Sequence, residues 1–124
     1  KAKVDVSSKT KLIGVTVLTS LSDEECASVY GCSREEQISK LEDIGISSCI
    51  DGFVCSPYDI SKFKSHEMIF VTPGIRVTDT IDDHHKTITP KGALDLGANY
   101  LVIGRSITEN KNPNLSLEKI IASL

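Results

Sequence analysis

The sequence predicts an α/β fold built from parallel β/α units, and three observations carry that prediction. Short β-branched apolar runs recur along the chain. They are apolar throughout rather than alternating, as strands covered on both faces are. Each is followed by a segment with a helix-start signature or helical spacing, the order that places helices between parallel strands.

The elements follow in order. Leu12-Ile-Gly-Val-Thr-Val-Leu18 is the first strand-like run. Ser22-Asp-Glu-Glu25 has the form of a capping box, in which a hydroxyl accepts from one backbone N–H while a carboxylate reaches back to another. Ser33-Arg-Glu-Glu36 is a second box, opening a helix with Ile38, Leu41 and Ile44 on one face and an expected end near Gly45. On that helix Arg34 reads as an exposed residue. Gly52-Phe-Val-Cys55 is the second strand, stopped by Ser56-Pro57, and Ile60 to Phe63 reads as helical. Met68-Ile-Phe-Val71 is the third, ended by Thr72-Pro73-Gly74, and a loop rich in Asp, Thr and His runs on to Thr87. Thr89 and Pro90 are a hydroxyl cap and a first-turn proline for a helix closed by Gly97. Tyr100-Leu-Val-Ile103 is the fourth strand and runs into Gly104-Arg105-Ser106. Leu117, Ile120, Ile121 and Leu124 keep the spacing of one helix face.

Composition bounds the rest. The 124 residues carry 40% apolar and 25% charged side chains and fit one domain of ordinary size. Fourteen basic against seventeen acidic residues give a net charge of −3, so the global electrostatic footprint of a nucleic-acid binder is missing. The longest apolar run is broken by Gly14 and Thr16, far short of the ~20 residues of a membrane span. With no signal-peptide pattern, the expectation is a soluble cytoplasmic protein with no nucleic-acid or membrane partner. Cys26, Cys32, Cys49 and Cys55 form two C-x5-C spacings without the tight C-x2-C hooks of structural zinc sites; they read as reduced thiols, with Cys26 and Cys49 in helix-like segments.

In β/α folds, ligands collect at the carboxyl ends of the strands. Thr19-Ser20, Ser56-Pro57, Thr72-Pro-Gly-Ile-Arg76 and Gly104-Arg-Ser106 lie there. A glycine at a strand end admits close approach of a ligand, and the N–H groups of a following helix turn attract an anion. Arg76 and Arg105 at matched strand ends add bidentate donors for a phosphate. Four units fill an open flavodoxin-like sheet or half of a (β/α)8 barrel, and length alone favours the open sheet.

The strand-end motifs point to the barrel. Leu12-Ile-Gly-Val-Thr-Val-Leu-Thr-Ser20, Asp51-Gly-Phe-Val-Cys-Ser-Pro57, Val71-Thr-Pro-Gly-Ile-Arg76 and Tyr100-Leu-Val-Ile-Gly-Arg-Ser-Ile107, in this order and spacing, resemble the C-terminal half of bacterial orotidine 5′-phosphate decarboxylases. The resemblance implies a (β/α)8 TIM barrel of which 1–124 is the C-terminal half. Residues 1–10 would be a preceding helix end or loop, and 11–124 the fifth strand to the eighth helix. It implies conversion of orotidine 5′-monophosphate to UMP and CO2 without a cofactor, and a homodimer. It assigns phosphate contacts to Arg76, Gly104 and Arg105, and a nucleotide contact near the pyrimidine to Thr19. His84, after Asp83, stands where the family usually has Gln reaching over the phosphate, so that contact becomes pH-dependent. The family's Asp-x-Lys-x-x-Asp array has no match here: Asp5 is followed by Val6-Ser-Ser, and Lys9 lies in a polar segment. The expected catalytic residues therefore belong to an N-terminal half, which becomes a required partner.

Other readings carry less. Asp79, Asp82, Asp83, His84 and His85 suggest a metal cluster but lie in one polar loop without fixed spacing, and read as a solvated loop. His66 reads as a surface residue, and Cys55-Ser56 lacks the G-x-S-x-G elbow of serine hydrolases. Asn114-Leu-Ser116 matches a glycosylation sequon that a cytoplasmic protein never uses. Neither a P-loop nor G-x-G-x-x-G is present. The alternatives are another phosphate-binding barrel enzyme of the same superfamily, such as a hexulose-phosphate synthase, and a non-catalytic phosphate-binding domain.

Overall fold

A computed structural model of the chain describes residues 9–65, 67–76 and 88–124. Its strands are β1 (Ile13–Val15), β2 (Gly52–Val54), β3 (Ile69–Thr72) and β4 (Tyr100–Leu101), and they form one sheet in the order β1-β2-β3-β4. Every neighbouring pair is parallel, with Ile13 opposite Gly52, Phe53 opposite Phe70 and Val71 opposite Tyr100. This order separates the two architectures left open above. A doubly wound sheet starts in its middle and reverses at a switch point, whereas a barrel adds each unit beside the last. The strands here add sequentially, and all their carboxyl ends leave one edge of the sheet.

The helices carry the expected caps. In α1 (Asp23–Tyr30), Ser22 Oγ accepts from the Glu25 N–H at 3.1 Å, and Glu25 Oε2 accepts from the Ser22 N–H at 2.8 Å. In α2 (Arg34–Ser47), Ser33 and Glu36 make the same pair of bonds at 3.2 and 2.9 Å. The Ser33 backbone N–H, and then its hydroxyl, hold the Glu36 carboxyl below the usual range. Helix α2 does not stop at Gly45 but runs two residues further. Gly45 is inside it because a Cβ there would strike the Phe53 ring, so this glycine serves helix–sheet contact. The buried face is accordingly Ile38, Glu42 and Gly45, and Ile44, expected in the core, is 61% exposed. Glu42 is fully buried, and its carboxylate accepts from the backbone N–H groups of Lys64 and Ser65, both at 2.9 Å.

After β2 the chain makes a 3-10 helix (Pro57–Lys62), begun by the expected Ser56-Pro57 break. Helix α3 (Pro90–Asp95) is capped by Thr89, whose hydroxyl accepts from the Gly92 N–H at 3.1 Å. Two further helices, α4 (Arg105–Thr108) and α5 (Pro113–Ala122), follow β4, the latter capped by Asn112. Of the face expected on α5, Ile120 is buried while Leu117, Ile121 and Leu124 are exposed. The chain's three phenylalanines form one stack between sheet and helices: Phe63 lies 5.2 Å from Phe53 and 5.0 Å from Phe70, centroid to centroid. Ile38, Ile60, Ala93 and Ala98 close around it.

The cysteines are all reduced. Cys26 and Cys55 are buried; Cys49 is exposed and lies beyond α2 at φ 55°, outside the helix expected for it. Burial, and then the charge of Asp59, push the Cys55 thiol up to about 12. Among the described residues no helix is long and apolar enough to cross a membrane.

Candidate functional site

The carboxyl edge of the sheet is assembled by the strands and reinforced just beyond them. The hydroxyl and N–H of Thr16 both donate to the Val54 carbonyl, at 3.0 and 3.1 Å, and continue the β1–β2 pairing. The N–H of Cys55 donates to Val71 at 3.2 Å, and that of Val102 donates to Thr72 at 2.9 Å. Thr16 and Thr72 are buried at these strand ends.

Four of the five site residues expected from the sequence can be placed. Thr19 is exposed in a turn closed by the Leu21 N–H donating to the Leu18 carbonyl at 3.2 Å. Arg76 is exposed; its N–H donates to the Ile88 carbonyl at 3.1 Å, beside a parallel bridge between Ile75 and Ile88. Gly104 caps α4, its carbonyl accepting from Ile107 and Thr108 at 2.8 and 3.1 Å. Arg105 is the first residue of that helix and is exposed. His84 lies outside the described residues, as do His66 and the whole Asp79–His85 group. Among the described residues no three His, Cys, Asp or Glu side chains are placed to hold a metal ion.

Arg76 and Gly104-Arg105 follow neighbouring strands, β3 and β4, which are adjacent and parallel; such strands lie ~4.8 Å apart. Thr19 is not beside them: β1 is the opposite edge strand, three spacings or ~14 Å away. A Cβ on Gly104 would meet no atom within 4 Å, so packing does not demand this glycine and the space over it is open. The N–H groups of Arg105 and Ser106, the first two residues of α4, have no carbonyl a turn earlier within the helix to bond to. Two guanidinium groups beside an open backbone can grip an anion with hydrogen bonds of the charge-assisted kind.

The sequence reading missed two supports. Ser116, buried within α5, donates from its hydroxyl to the Ser106 carbonyl at 2.9 Å and ties α5 to the helix that carries Arg105. A serine between two leucines in an apolar helix was the available signal. The second is Arg34, which is not an exposed helix residue but only 9% exposed. Its Nη1 donates to Asp59 at 3.1 Å, its Nε to Asp23 at 3.0 Å, and its Nη2 to the Leu21 carbonyl. Burial works against its charge, yet the Asp23 hydrogen bond and the charges of Asp59 and Asp23 outweigh it and raise the guanidinium pKa.

Comparison with known proteins bears on this edge. The family model described as "Orotidine 5'-phosphate decarboxylase / HUMPS family" matches residues 1–120. The chain is 41% identical over 121 residues to the orotidine 5′-phosphate decarboxylase of Wolbachia pipientis subsp. Culex pipiens, covering 94% of this chain and 53% of that protein. It is 40% identical over 128 residues to that of Laribacter hongkongensis, covering 100% of this chain and 53% of the relative. The crystal structure of the Lactobacillus acidophilus enzyme of that name superposes with a TM-score of 0.72 at 33% identity, over 93% of this chain and 49% of that one. The chain thus spans about half the length of the curated relatives it matches.

Proposed function

Because the chain belongs to the orotidine 5′-phosphate decarboxylase / HUMPS family, we propose that it acts as the phosphate- and nucleotide-binding half of an orotidine 5′-monophosphate decarboxylase, a step of pyrimidine synthesis. One observation carries the reading: Arg76 and Gly104-Arg105 leave neighbouring parallel strands at the same edge of the sheet. The 5′-phosphate takes the guanidinium groups of both arginines and the backbone at Gly104. The Thr19 hydroxyl, at the far strand, meets the nucleotide near the pyrimidine. His84 completes the phosphate contacts from the loop after β3.

Decarboxylation breaks the bond between the pyrimidine ring and its carboxylate, releases CO2, and leaves a carbanion that takes a proton to give UMP. The proton donor and the carboxylates around the departing group come from the other half of the barrel, which carries the family's Asp-x-Lys-x-x-Asp array. This half contributes through distance: phosphate binding, remote from the reacting bond, supplies energy realised in the transition state rather than in chemistry of its own. The outer edges of β1 and β4 take the first half of the barrel as their neighbour, and the assembled enzyme is a cytoplasmic homodimer that uses no cofactor.

The test is to express the chain together with the first half of the Laribacter hongkongensis relative and follow loss of orotidine 5′-monophosphate by absorbance. Turnover is expected. UMP binding without turnover would restrict the function to nucleotide binding, and neither turnover nor UMP binding overturns the proposal.

A further inference from the structure

Arg34 touches nothing that the proposed reaction needs, yet its three bonds reach two segments far apart along the chain, 21–23 and Asp59. The Leu21 carbonyl belongs to the segment that leaves the Thr19-Ser20 turn, since the Leu21 N–H closes that turn on Leu18. Asp23 is the first residue of α1. Asp59 lies in the 3-10 helix after β2, and its N–H donates back to the Ser56 carbonyl at 2.9 Å. One guanidinium therefore joins the loop after β1 to the loop after β2, at the carboxyl edge of the sheet. Asp59 is 2% exposed and also accepts from Lys62 Nζ at 2.6 Å, but Lys62 is in the same 3-10 helix and spans no gap between loops. A rigid planar fork with several donors suits such a three-way tie, and a lysine head does not.

We infer that Arg34 is a positioning residue that clamps the β1 and β2 strand-end loops together and so fixes the pyrimidine side of the nucleotide site, leaving the phosphate side to β3 and β4. The inference rests on the nucleotide-binding reading above for its ligand, but not for its geometry.

The experiment compares Arg34→Met, Asp23→Asn and Lys62→Met with the unaltered protein, titrating each with UMP and with inorganic phosphate. Arg34→Met is expected to weaken UMP about tenfold and inorganic phosphate by less than about twofold. Asp23→Asn, which removes the charge from one arm while leaving an oxygen to accept from Nε, is expected to act in the same direction more weakly, and Lys62→Met to leave the ratio of the two affinities unchanged. Equal losses on both ligands, or a Lys62→Met effect matching that of Arg34→Met, overturn the clamp. Amide hydrogen exchange on the same variants decides the matter even if the unaltered protein binds neither ligand, a result that would reject the nucleotide reading alone. Faster exchange confined to residues 16–24 and 56–62 supports the clamp, and uniform acceleration or none refutes it. If Arg34→Met fails to fold, Asp23→Asn carries the same comparison.

Discussion

Gly52→Ala and Gly104→Ala are the same substitution at opposite ends of the sheet, and they should fail in opposite ways. Gly52 opens β2 directly opposite Ile69, and a Cβ on it would land on the Ile69 backbone carbonyl. That carbonyl belongs to the central ladder, where the Ile69 N–H is itself held by the Asp51 carbonyl at 3.0 Å. No side chain can swing aside, so the two central strands must separate, at a cost of about 3 kcal/mol, the upper part of the overpacking range. Gly104 has φ −105°, and its Cβ would meet nothing within 4 Å. Alanine there should change stability by less than about 1 kcal/mol, since restricting the unfolded chain offsets small losses. On the proposed function, however, a methyl group in that open space stands where a phosphate oxygen approaches the backbone. Losing one charge-assisted hydrogen bond is worth about 2 kcal/mol, or about thirtyfold in affinity. Urea unfolding and calorimetric titration with UMP separate the two effects. With a slope of roughly 1–3 kcal/mol per molar urea, Gly52→Ala should lower the midpoint by about 1 M or more, while Gly104→Ala barely moves it. A Gly104→Ala protein that unfolds as early as Gly52→Ala, or that binds UMP like the unaltered chain, refutes the reasoning.

Four further outcomes follow from the same structure. Arg105→Ala and Arg76→Ala should each weaken UMP by about 10- to 100-fold, one charged pair's worth, without moving the unfolding midpoint by more than about 0.3 M urea, because both side chains are exposed. Glu42→Ala leaves the N–H groups of Lys64 and Ser65 without their carboxylate and should cost about 2–4 kcal/mol by urea unfolding; Glu42→Gln, which keeps an acceptor oxygen, should cost less. The Cys55 thiol sits at about 12 in the fold against an ordinary 9.0. The unfolded chain therefore releases this proton first, and stability present below pH 9 falls as pH rises toward 12, a decline that Cys55→Ala should flatten. In thiol labelling at pH 8, exposed Cys49 should react well before Cys55.

The elements most legible in the sequence are those dictated by neighbours a few residues away. Both capping boxes and the Thr89-Pro90 cap are local exchanges between a hydroxyl, a carboxylate and nearby N–H groups, and they form where the residues announce them. The strand-end arginines were legible too, because a parallel β/α order sends every carboxyl end to one edge. What escaped depends on partners far along the chain. Gly45 looks like a helix stop, but its reason is the Phe53 ring eight residues on. Glu42 looks solvated, yet it is buried by the turn at Lys64 and Ser65. Arg34 has the composition of an exposed first turn and is claimed instead by Asp59, 25 residues away. A charged residue's burial is decided by a partner that periodicity does not see.

The sheet's two outer strands differ from its inner ones in a way that bears on the proposed function. Gly52, Phe53, Phe70 and Thr72 of the inner strands are buried, whereas Val15 on β1 and Tyr100 on β4 are 64% and 61% exposed. Parallel strands are ordinarily covered on both faces and paired on both sides, and an open edge is a pairing surface. The relatives are about twice as long, and on the barrel reading their additional length would supply the units that meet these two edges. The proposed phosphate contacts do not wait on that closure, since Arg76, Gly104 and Arg105 all follow strands already paired within this sheet. On the proposed function the chemistry does wait on it, because that reading assigns the proton donor to the other half. The proposed function thus makes phosphate binding and decarboxylation separable, each resting on a different half. If the half described here grips the substrate by the end farthest from the bond that breaks, as proposed, the energy of that grip is available to the transition state only once the other half is in place.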